Sequence, residues 1–378
     1  MSVPSEGLTN GDAGEEPNRE ASPPRSDVTG KTVTMAAVAR VAGVSQGAIS
    51  SLLNDRDYGI RVSPKTRERV FKTCKDLGYV PNDLRAFVRI YPELGETCLL
   101  VSDRISGRIA NPFVAWLAAS LMAHIPRQPS SISVILYDET LDYGAAATLP
   151  SPLHHGTASK ILFVGAGNES ICRVVHERRL PTLVLGHTHP MPGVTSIAPD
   201  HHAAARLALA HFVQHGHRQI GIVGGPFGSH DPRLAEMSVA IGDAAAQLGL
   251  TIRPDDVFSG DLNFETGIAA IEQMRARPSR PTALLCLSAS VAAGAIAVAH
   301  SHGVRVPGHL SVVTFADHAG PIESSVPITA VVLPVDEIAS AAVREADRQI
   351  REGIPADAAK ITVGVRLIER SSSGPVAR

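Results

Sequence analysis

Cysteine and aromatic residues are scarce in this sequence. The 378 residues include four cysteines, and no two of them form a CxxC pair. Closely spaced cysteines are typical of thiolate zinc sites and of disulfide-linked secreted domains, so we expect neither. Aromatic residues make up 4% of the chain, whereas hydrophobic residues as a group make up 44%. This balance is typical of helices and strands packed in layers.

Long uninterrupted hydrophobic runs are missing as well. The longest apolar stretch, Ala283–Ala299, is broken at Ser288, Ser290 and Gly294, so it predicts a buried strand followed by a helix instead of a membrane span. The N-terminal residues are polar and acidic and lack the apolar segment of a secretion signal. We therefore expect a cytoplasmic protein with no membrane partner.

Charge is distributed unevenly, although the formal net charge is only -2. Residues 1–31 carry six acidic and three basic side chains, whereas residues 32–90 carry ten basic and five acidic ones. A basic segment attached to a mildly acidic body is typical of a module that binds DNA, because phosphate neutralisation supplies much of the affinity. An ordinary solvated helical surface explains the same charges, so charge alone leaves both interpretations open.

Changes in the hydrophobic pattern divide the chain. Residues 1–31 are rich in Ser, Pro, Gly and Glu, which predicts a disordered tail. Residues 32–81 carry apolar side chains at helical spacing and predict a compact all-α unit. Residues 82–95 form a charged linker, and in residues 96–375 short apolar runs alternate with helical stretches.

The alternation in residues 96–375 predicts doubly wound, mostly parallel sheets. This segment is longer than one such domain, so we expect two subdomains with a ligand cleft between them at the carboxyl ends of the strands. We assign residues 96–197 and 328–356 to an N-subdomain, and residues 198–327 and 357–373 to a C-subdomain.

Residues 34–54 have the spacing of two short helices joined by a tight turn. Thr34 is a good N-cap for the first helix, and Gly43 tolerates the positive φ needed where that helix ends. Ser45 caps the second helix, whose apolar face points inward. The outward positions at its N-terminal end are Gln46, Gly47, Ser50 and Ser51. In a helix-turn-helix, this end enters the major groove of DNA.

A longer pattern at fixed spacing runs through this segment. Its members are Thr34, Val38-Ala39, Ala42-Gly43-Val44-Ser45, Ile49-Ser50, Leu53-Asn54, Val62-Ser63, Thr66-Arg67, Val70, Leu77-Gly78-Tyr79 and Pro81-Asn82. With these residues the segment resembles the headpiece of the lactose-repressor/galactose-repressor (LacI/GalR) family of bacterial transcriptional regulators. The core continues the resemblance to about Ser373, with matches that include Asn111-Pro112-Phe113, residues 211–220, Arg233 and residues 303–307.

The resemblance implies a fold and a set of partners. The fold is an N-terminal all-α helix-turn-helix headpiece followed by an α/β core of two doubly wound parallel-sheet subdomains, similar to periplasmic binding proteins. The partners are double-stranded operator DNA, a second copy of the chain in a homodimer, and a small-molecule effector of open identity. No cofactor is implied, and the location is cytoplasmic and nucleoid-associated. Closure of such a core around its effector changes how the headpieces are presented.

The resemblance also implies which residues contact DNA. Gln46, Gly47 and Ser51 take the base-reading positions, and a Gln can bond an adenine edge through two hydrogen bonds. Thr34 and Ser45 are placed to hold phosphates. The remaining predicted DNA-binding residues are Ser50, Asn54, Arg61, Tyr79 and Val88. Of these, Val88 takes the place of the apolar wedge that paired hinge helices insert into the minor groove. Arg61 could add a phosphate contact, although a solvated loop explains it better.

For the effector, the resemblance implies a cleft with six contact residues. They are Asn111, Phe113, Arg233, Ser288, Phe315 and Asp317. The chain departs from the family at two cleft positions. It has Ser288-Ala289 where members often have Asn-Asp, and residues 314–317 read Thr-Phe-Ala-Asp where members often have Gly-Phe-Asp-Asp. Both sites commonly bond sugar hydroxyls, so the departures argue against an ordinary sugar and leave open an anionic or less polar ligand, a protein partner, or no effector.

We therefore predict a DNA-binding transcriptional regulator, a repressor that binds a pseudo-palindromic operator as a dimer and responds to a small ligand in its cleft. Two alternatives stay open. One is a DNA-binding regulator whose core is degenerate and independent of any effector. The other, from a different class, is a solute-binding protein without a DNA function.

Metal binding and catalysis find little support in the sequence. Sixteen histidines invite a metal site, but His211 and His217 fall at positions that packing and turn geometry explain, and no Cys or acidic residue completes a set. The sequence contains no Gly-x-Ser-x-Gly, phosphate-binding Walker loop or catalytic Cys-His pattern. We therefore predict no metal site, no catalytic residues and no enzymatic activity.

Overall fold

The fold has three parts, a helical headpiece and two α/β subdomains. The computed structural model describes residues 33–54, 62–105, 107–125, 131–225, 231–316 and 324–377. The predicted tail, residues 1–31, lies outside the described residues, and so do Arg61 and Asp317 from the predicted binding sets.

Four helices form the headpiece and the segment that follows it: α1 (Met35–Ala42), α2 (Gln46–Asn54), α3 (Pro64–Leu77) and α4 (Leu84–Ile90). Side-chain oxygens of Thr34, Ser63 and Asp83 start α1, α3 and α4 by accepting hydrogen bonds from amides three residues further on. The four helices share one apolar cluster, whose buried members are Val38, Ala39, Ala42, Ile49, Leu52, Leu53, Val70, Cys74, Tyr79, Ala86 and Ile90. Half of the predicted linker is therefore a helix that packs into the headpiece.

The core elements alternate between strands and helices. In chain order they are β1 (Glu96–Ser102), α5 (Pro112–His124), β2 (Ile132–Tyr137), α6 (Ser151–His155), β3 (Ala158–Val164), α7 (Glu169–Glu177), β4 (Thr182–Leu185), β5 (Thr195–Pro199), α8 (His201–Gln214), β6 (Ile220–Val223), α9 (Pro232–Gln247), β7 (Val257–Phe258), α10 (Phe264–Arg275), β8 (Ala283–Cys286), α11 (Ala289–Ser301), β9 (Ser311–Ala316), β10 (Thr329–Val332), α12 (Val335–Glu352), β11 (Ala359–Val363) and β12 (Arg366–Ile368).

Two six-stranded sheets organise these elements. The sheet of the N-subdomain has the order β11-β5-β4-β3-β1-β2 and is parallel throughout. The sheet of the C-subdomain has the order β12-β10-β9-β8-β6-β7, and only β12 runs antiparallel to its neighbour. The doubly wound architecture predicted from the sequence is confirmed.

Both faces of the first sheet are covered. In β1, Leu99 and Val101 enter the apolar layer that contains α5 and α12, whereas Cys98 and Leu100 enter the layer that contains α6 and α7. Strands that are buried on both faces read as continuous apolar runs, which is why β1 and β3 could be recognised in the sequence.

The predicted assignment of residues 328–356 and 357–373 to subdomains was wrong in part. β10 pairs with β9 in the second sheet, while α12 packs on α5 in the N-subdomain. β11 then pairs with β5 in the first sheet, and β12 returns to the second. The chain thus crosses between the subdomains after β5, β10 and β11. A hydrophobic pattern predicts that a strand exists but contains no information about which sheet supplies its partner.

Two structural findings bear on membranes and metals. Within the described ranges, no single helix has the length and apolar character needed to cross a membrane. Taken as a pair, α1 and α2 have that length and apolar composition, but their axes meet at an angle of 109°. In the same part of the chain, no group of three or more His, Cys, Asp or Glu side chains is placed to hold a metal ion.

Candidate DNA interface and ligand cleft

The orientation of α2 is set by contacts at both of its ends. At the start, the Ser45 hydroxyl accepts a hydrogen bond from the Ala48 amide at 3.1 Å. Before it, Gly43 adopts a left-handed conformation with φ of 64°, which ends α1 and turns the chain. At the far end, Nη1 of Arg89 donates to the carbonyl oxygens of Leu52 and Leu53 at 3.2 and 3.0 Å. The helix is therefore held by caps as well as by its buried apolar face.

The N-terminal end of α2 is open to solvent. Ser45, Gln46 and Gly47 are exposed, and Ser50 and Ser51 are half-buried. The geometry therefore leaves polar side chains and helix amides at a helix N-terminus, which can approach base edges and phosphates.

Other predicted DNA-binding residues fall around α2. Thr34 is exposed, and its hydroxyl caps α1 through the Ala37 amide at 3.2 Å. Asn54 is the last residue of α2. Thr34 lies at the first turn of α1 and Asn54 at the C-terminal end of α2, so the structure does not bring the whole predicted set to one helix end.

Tyr79 does not lie on the candidate DNA surface, contrary to our prediction. Its side chain is 7% exposed and belongs to the headpiece core. Burial raises the pKa of its phenol. Its carbonyl oxygen accepts a hydrogen bond from the Tyr91 hydroxyl at 3.1 Å, which ties the headpiece to the segment after α4. Tyr79 is thus a packing residue in this structure.

The predicted wedge residue is not presented either. Val88 is 8% exposed and packs toward Gly95, where an added Cβ would lie 2.9 Å from its Cγ1. The physical reason is the orientation of α4, which inserts Ala86 and Ile90 into the headpiece core and turns Val88 toward the N-subdomain. The exposed apolar residue of α4 is Leu84, at 59%.

Sequence reasoning missed two arginines that position α4. Arg89 bonds the end of α2, as described, and Nε of Arg85 donates to the carbonyl oxygen of His155 at 2.6 Å. Arg85 thus links α4 to the end of α6 in the N-subdomain. Asp83 as an N-cap was the available signal for this helix, since its carboxylate accepts from the Ala86 amide at 3.0 Å.

The cleft between the subdomains brings together five of the six predicted effector residues. Asn111, Phe113, Arg233, Ser288 and Phe315 all line one inner chamber with a volume of about 60 Å³. A wider mouth of about 470 Å³ adjoins the chamber, and Asn111 and Leu262 line both. The other residues of the inner chamber are Pro112, Gly186, Pro199, His201, Leu234, Met237, Leu262, Leu287 and Leu333.

Contacts across the cleft hold its two walls together. The Arg233 guanidinium of α9 lies 4.5 Å from the ring centroid of Phe113 on α5. Nearby, the Thr188 amide donates to the carboxylate of Glu236 at 2.8 Å. Gly186, with φ of 95°, permits this approach, because a Cβ there would lie 2.8 Å from Cδ of Arg233. The cleft is therefore closed.

Asp231 is the residue that sequence reasoning missed in the cleft. Its two carboxylate oxygens accept hydrogen bonds from Nε and Nη2 of Arg233 at 3.1 and 2.7 Å. Burial opposes ionisation of Asp231, but the adjacent guanidinium outweighs it and lowers the pKa of the carboxyl group. The sequence signal was the Asp-Pro-Arg run, in which an N-cap Asp precedes an Arg by two residues.

Behind this pair lie two buried histidines. His187 is 1% exposed, and neither of its ring nitrogens has a hydrogen-bond partner among the described residues. Burial lowers its pKa to about 3, so the ring is neutral. His201 is also buried with a lowered pKa, chiefly through desolvation, and its Nε2 lies 3.0 Å from the carbonyl oxygen of Gly186.

Two family models match the chain. The model for bacterial regulatory proteins of the lacI family matches residues 34–82, and the model for a periplasmic binding protein-like domain matches residues 209–373. The first spans α1 to α3 and the second spans most of the C-subdomain together with α12. The chain belongs to the LacI family of bacterial regulatory proteins.

Relatives of this LacI-family protein match over most of their length. Catabolite control protein A of Staphylococcus xylosus is 28% identical over 289 residues, which cover 75% of this chain and 82% of the relative. The HTH-type transcriptional repressor CytR of Escherichia coli (strain K12) is 26% identical over 283 residues, covering 75% of this chain and 79% of the relative.

Solved structures share the fold of this LacI-family chain. The transcriptional regulator CelR–cellobiose complex superimposes with a TM-score of 0.62 at 23% identity, covering 90% of this chain and 99% of that one. The lac repressor dimer bound to operator and the anti-inducer ONPF gives a TM-score of 0.61 at 21% identity, covering 91% and 100%. The LacI-family assignment makes the headpiece a DNA-binding helix-turn-helix and the core a ligand-binding unit of a transcriptional regulator.

Proposed function

We propose that this LacI-family regulator is a repressor that binds a pseudo-palindromic operator as a homodimer and that cleft occupancy tunes its affinity for DNA. The observation that carries the proposal is the exposed N-terminal end of α2, which is held in place by the Ser45 cap and by Arg89. CytR, a relative, is named as a repressor, and the lac repressor binds its operator as a dimer. We propose a regulator without catalytic activity, located with the DNA that it binds.

For base reading, we propose Gln46, with Gly47 and Ser51 beside it. Gln46 is exposed at the start of α2, where a side-chain amide can bond an adenine edge with two hydrogen bonds. Phosphate contacts are proposed for Ser45 and Thr34. Exposed basic residues at the start of α3, Lys65 and Arg67, extend the positive surface.

An apolar stripe on α5 supports the homodimer. The exposed positions between 112 and 123 recur at intervals of three or four residues, so they share one side of the helix. All of them are apolar or nearly so: Pro112, Ala115, Trp116, Ala119, Met122 and Ala123. Trp116 and Met122 are 45% and 56% exposed. A contiguous apolar helix face of this kind marks an association surface, and we propose that a second copy of the chain covers it.

The link between the cleft and the headpiece is proposed to run through α4. Arg85 bonds the end of α6, and Val88 packs near Gly95 at the start of β1. α4 therefore contacts the N-subdomain on one side and the headpiece core on the other. A movement of the two subdomains about the cleft would then change the spacing of the two headpieces in a dimer.

A gel-shift titration tests the DNA and dimer proposals together. The purified protein is titrated on its own upstream region and on an unrelated fragment of equal length at several salt concentrations. We expect a specific complex that weakens steeply as salt rises, because Lys and Arg contacts release counterions. The Trp116→Arg variant should dissociate the dimer and lower operator affinity by about 100-fold or more. A salt-insensitive complex, or an unaffected variant, contradicts the proposal.

A further inference from the structure

The charge of Arg233 is neutralised from within the cleft. Asp231 caps α9 and engages both Nε and Nη2 of the guanidinium, while Phe113 lies against it at 4.5 Å. The side chains of Arg233 and Asp231 are 10% and 9% exposed. An incoming anion or sugar hydroxyl would meet an ion pair without net charge and would have to displace a buried carboxylate.

Two further polar side chains of the inner chamber are engaged inside the protein. The Ser288 hydroxyl donates to the Leu262 carbonyl at 3.1 Å and caps α11 through the Val291 amide. Oδ1 of Asn111 caps α5 through the Phe113 amide at 3.1 Å. Sugars carry close to one hydroxyl per carbon atom, and each buried hydroxyl without a partner is costly. This lining is therefore ill-suited to a sugar.

His201, another residue of the inner chamber, differs from these because one of its ring nitrogens is buried without a partner among the described residues. The Gly186 carbonyl is an acceptor, so the adjacent Nε2 of His201 must carry the ring proton. Nδ1 of the neutral ring is then an acceptor. It is buried and, in the described part of the chain, has no partner. A hydroxyl hydrogen from a ligand would satisfy this atom.

The dimensions of the cleft suit a small body with an apolar end. The inner chamber of about 60 Å³ holds roughly two water-sized groups, at about 30 Å³ each. Its walls include the buried side chains of Phe113, Met237, Leu287 and Phe315. With the adjoining mouth of about 470 Å³, the space falls in the usual range for a small-molecule site.

We propose that the effector is an uncharged, weakly polar alcohol, whose apolar body fills the inner chamber and whose hydroxyl donates to His201, and that Asp231 excludes anions and sugars by holding Arg233. This inference rests on the proposed function, in which the cleft is the effector site. Arg233 is then a wall residue of the chamber, and Asp231 determines specificity because its carboxylate pairs with the guanidinium.

Ligand titrations of the purified full chain test the proposed class. Thermal unfolding is followed with propan-1-ol and propan-2-ol, with their methyl ethers, and with glucose, ribose, gluconate and glucose 6-phosphate. We expect the alcohols to raise the unfolding midpoint by roughly 3 °C at ten times Kd, the ethers to bind several-fold more weakly, and the sugars and anions to have no effect. Leu262→Trp, which fills the junction of chamber and mouth, should abolish the shift, whereas Val239→Trp on an exposed part of α9 should not. Binding of a sugar or anion by the unchanged protein, or of none of the compounds, overturns the proposal.

A gain of function tests the role of Asp231. Asp231→Asn keeps the shape of the side chain and frees the charge of Arg233, so gluconate should bind at least about 10-fold more tightly than to the unchanged protein. The double variant Asp231→Asn/Arg233→Gln should lose this gain, because it lacks the guanidinium that would bind gluconate. The double variant also contains no unpaired buried charge, so it can be compared with the unchanged protein if the single variant unfolds. Equal gluconate affinity in the folded single variant and the unchanged protein contradicts the assignment. These titrations contain no DNA, so their failure leaves operator binding untouched, and a failed gel shift leaves them valid.

Discussion

The two binding regions of this protein treat their polar groups in opposite ways. At the start of α2, Ser45, Gln46 and Gly47 are exposed, and a helix N-terminus faces solvent. In the cleft, Arg233 is held by Asp231, and Ser288 and Asn111 cap helices. The headpiece offers groups to a partner, whereas the cleft satisfies most of its own. Two regions of one chain therefore differ in how many polar groups they leave available to a ligand.

The difference between the two regions predicts the largest effect of a substitution at Gln46. Gln46→Ala removes a proposed base contact from each of the two recognition helices, and each is worth about 1–3 kcal/mol of operator affinity. We expect a loss of about 2–6 kcal/mol for the dimer, measured by fluorescence anisotropy on the operator. Gln247→Ala, at an exposed end of α9, is the matched control and should leave the affinity unchanged. Equal affinities for both variants would remove Gln46 from the interface.

A loss of similar size is expected in the free energy of unfolding of the core when Asp231 is replaced. Asp231→Ala leaves the buried guanidinium of Arg233 without its carboxylate, and breaking such a pair costs about 3–5 kcal/mol. Urea unfolding measures the loss. Asp243→Ala on the exposed side of α9 is the control, because its carboxylate is 55% exposed. A loss below about 1 kcal/mol at Asp231 would show that the pair does not hold the cleft.

The third effect is a pH dependence of the core that arises from His187. Its ring is held neutral by burial, and the groups that face it are His189, Asp231, Arg233 and His201. The unfolded chain takes up a proton below its ordinary pKa of about 6.5, whereas the folded chain does so only near 3, so stability is present above pH 6.5 and is lost as pH falls.

The free energy of unfolding should therefore fall by about 2 kcal/mol from this one group between pH 7 and pH 5. In His187→Leu this contribution should vanish, while His300→Leu, at an exposed position of α11, should retain it. Denaturant titrations at both pH values decide the matter. An unchanged pH dependence in His187→Leu would contradict the burial of a neutral ring.

The smallest effect is expected at Arg89, whose guanidinium bonds backbone carbonyl groups inside the headpiece. Arg89→Met removes two hydrogen bonds to the carbonyl oxygens at the end of α2 and should loosen α4 by about 1–2 kcal/mol. Hydrogen exchange of the amides of α4 measures the change. Arg173→Met, on an exposed part of α7, should leave that exchange as it is. Unchanged protection in Arg89→Met would mean that the apolar contacts of Ala86 and Ile90 alone hold the helix.

Much of the fold could be predicted from the sequence because its signals are local. Thr34 and Gly43 bound α1 as expected, and the alternation of short apolar runs with helical stretches in residues 96–375 is the alternation of strands and helices in the two sheets. β7 has only two residues, which is too short to show a hydrophobic period. The crossings of β10 and β11 between subdomains depend on distant partners that no local pattern contains.

The candidate sites also include features that the sequence predicted and features that it did not. The matches in residues 34–82 predicted the exposed end of α2, and the lacI-family model covers the same residues, which argues against a solute-binding protein without a headpiece. The positions of Tyr79 and Val88 could not be predicted, because they depend on how α4 packs against the headpiece and the N-subdomain. In the cleft, the residues that line the chamber could be named, but the pairing of Arg233 with Asp231 required the geometry.

The most direct test of the central claim is a selection from a random DNA library by the purified full-length protein, repeated at low and at physiological salt. We expect enrichment of one pseudo-palindromic sequence, whose affinity falls steeply with salt and is lost in Gln46→Ala. Recovery of no common sequence, or of a site without two-fold symmetry that Gln46→Ala binds equally well, would contradict it.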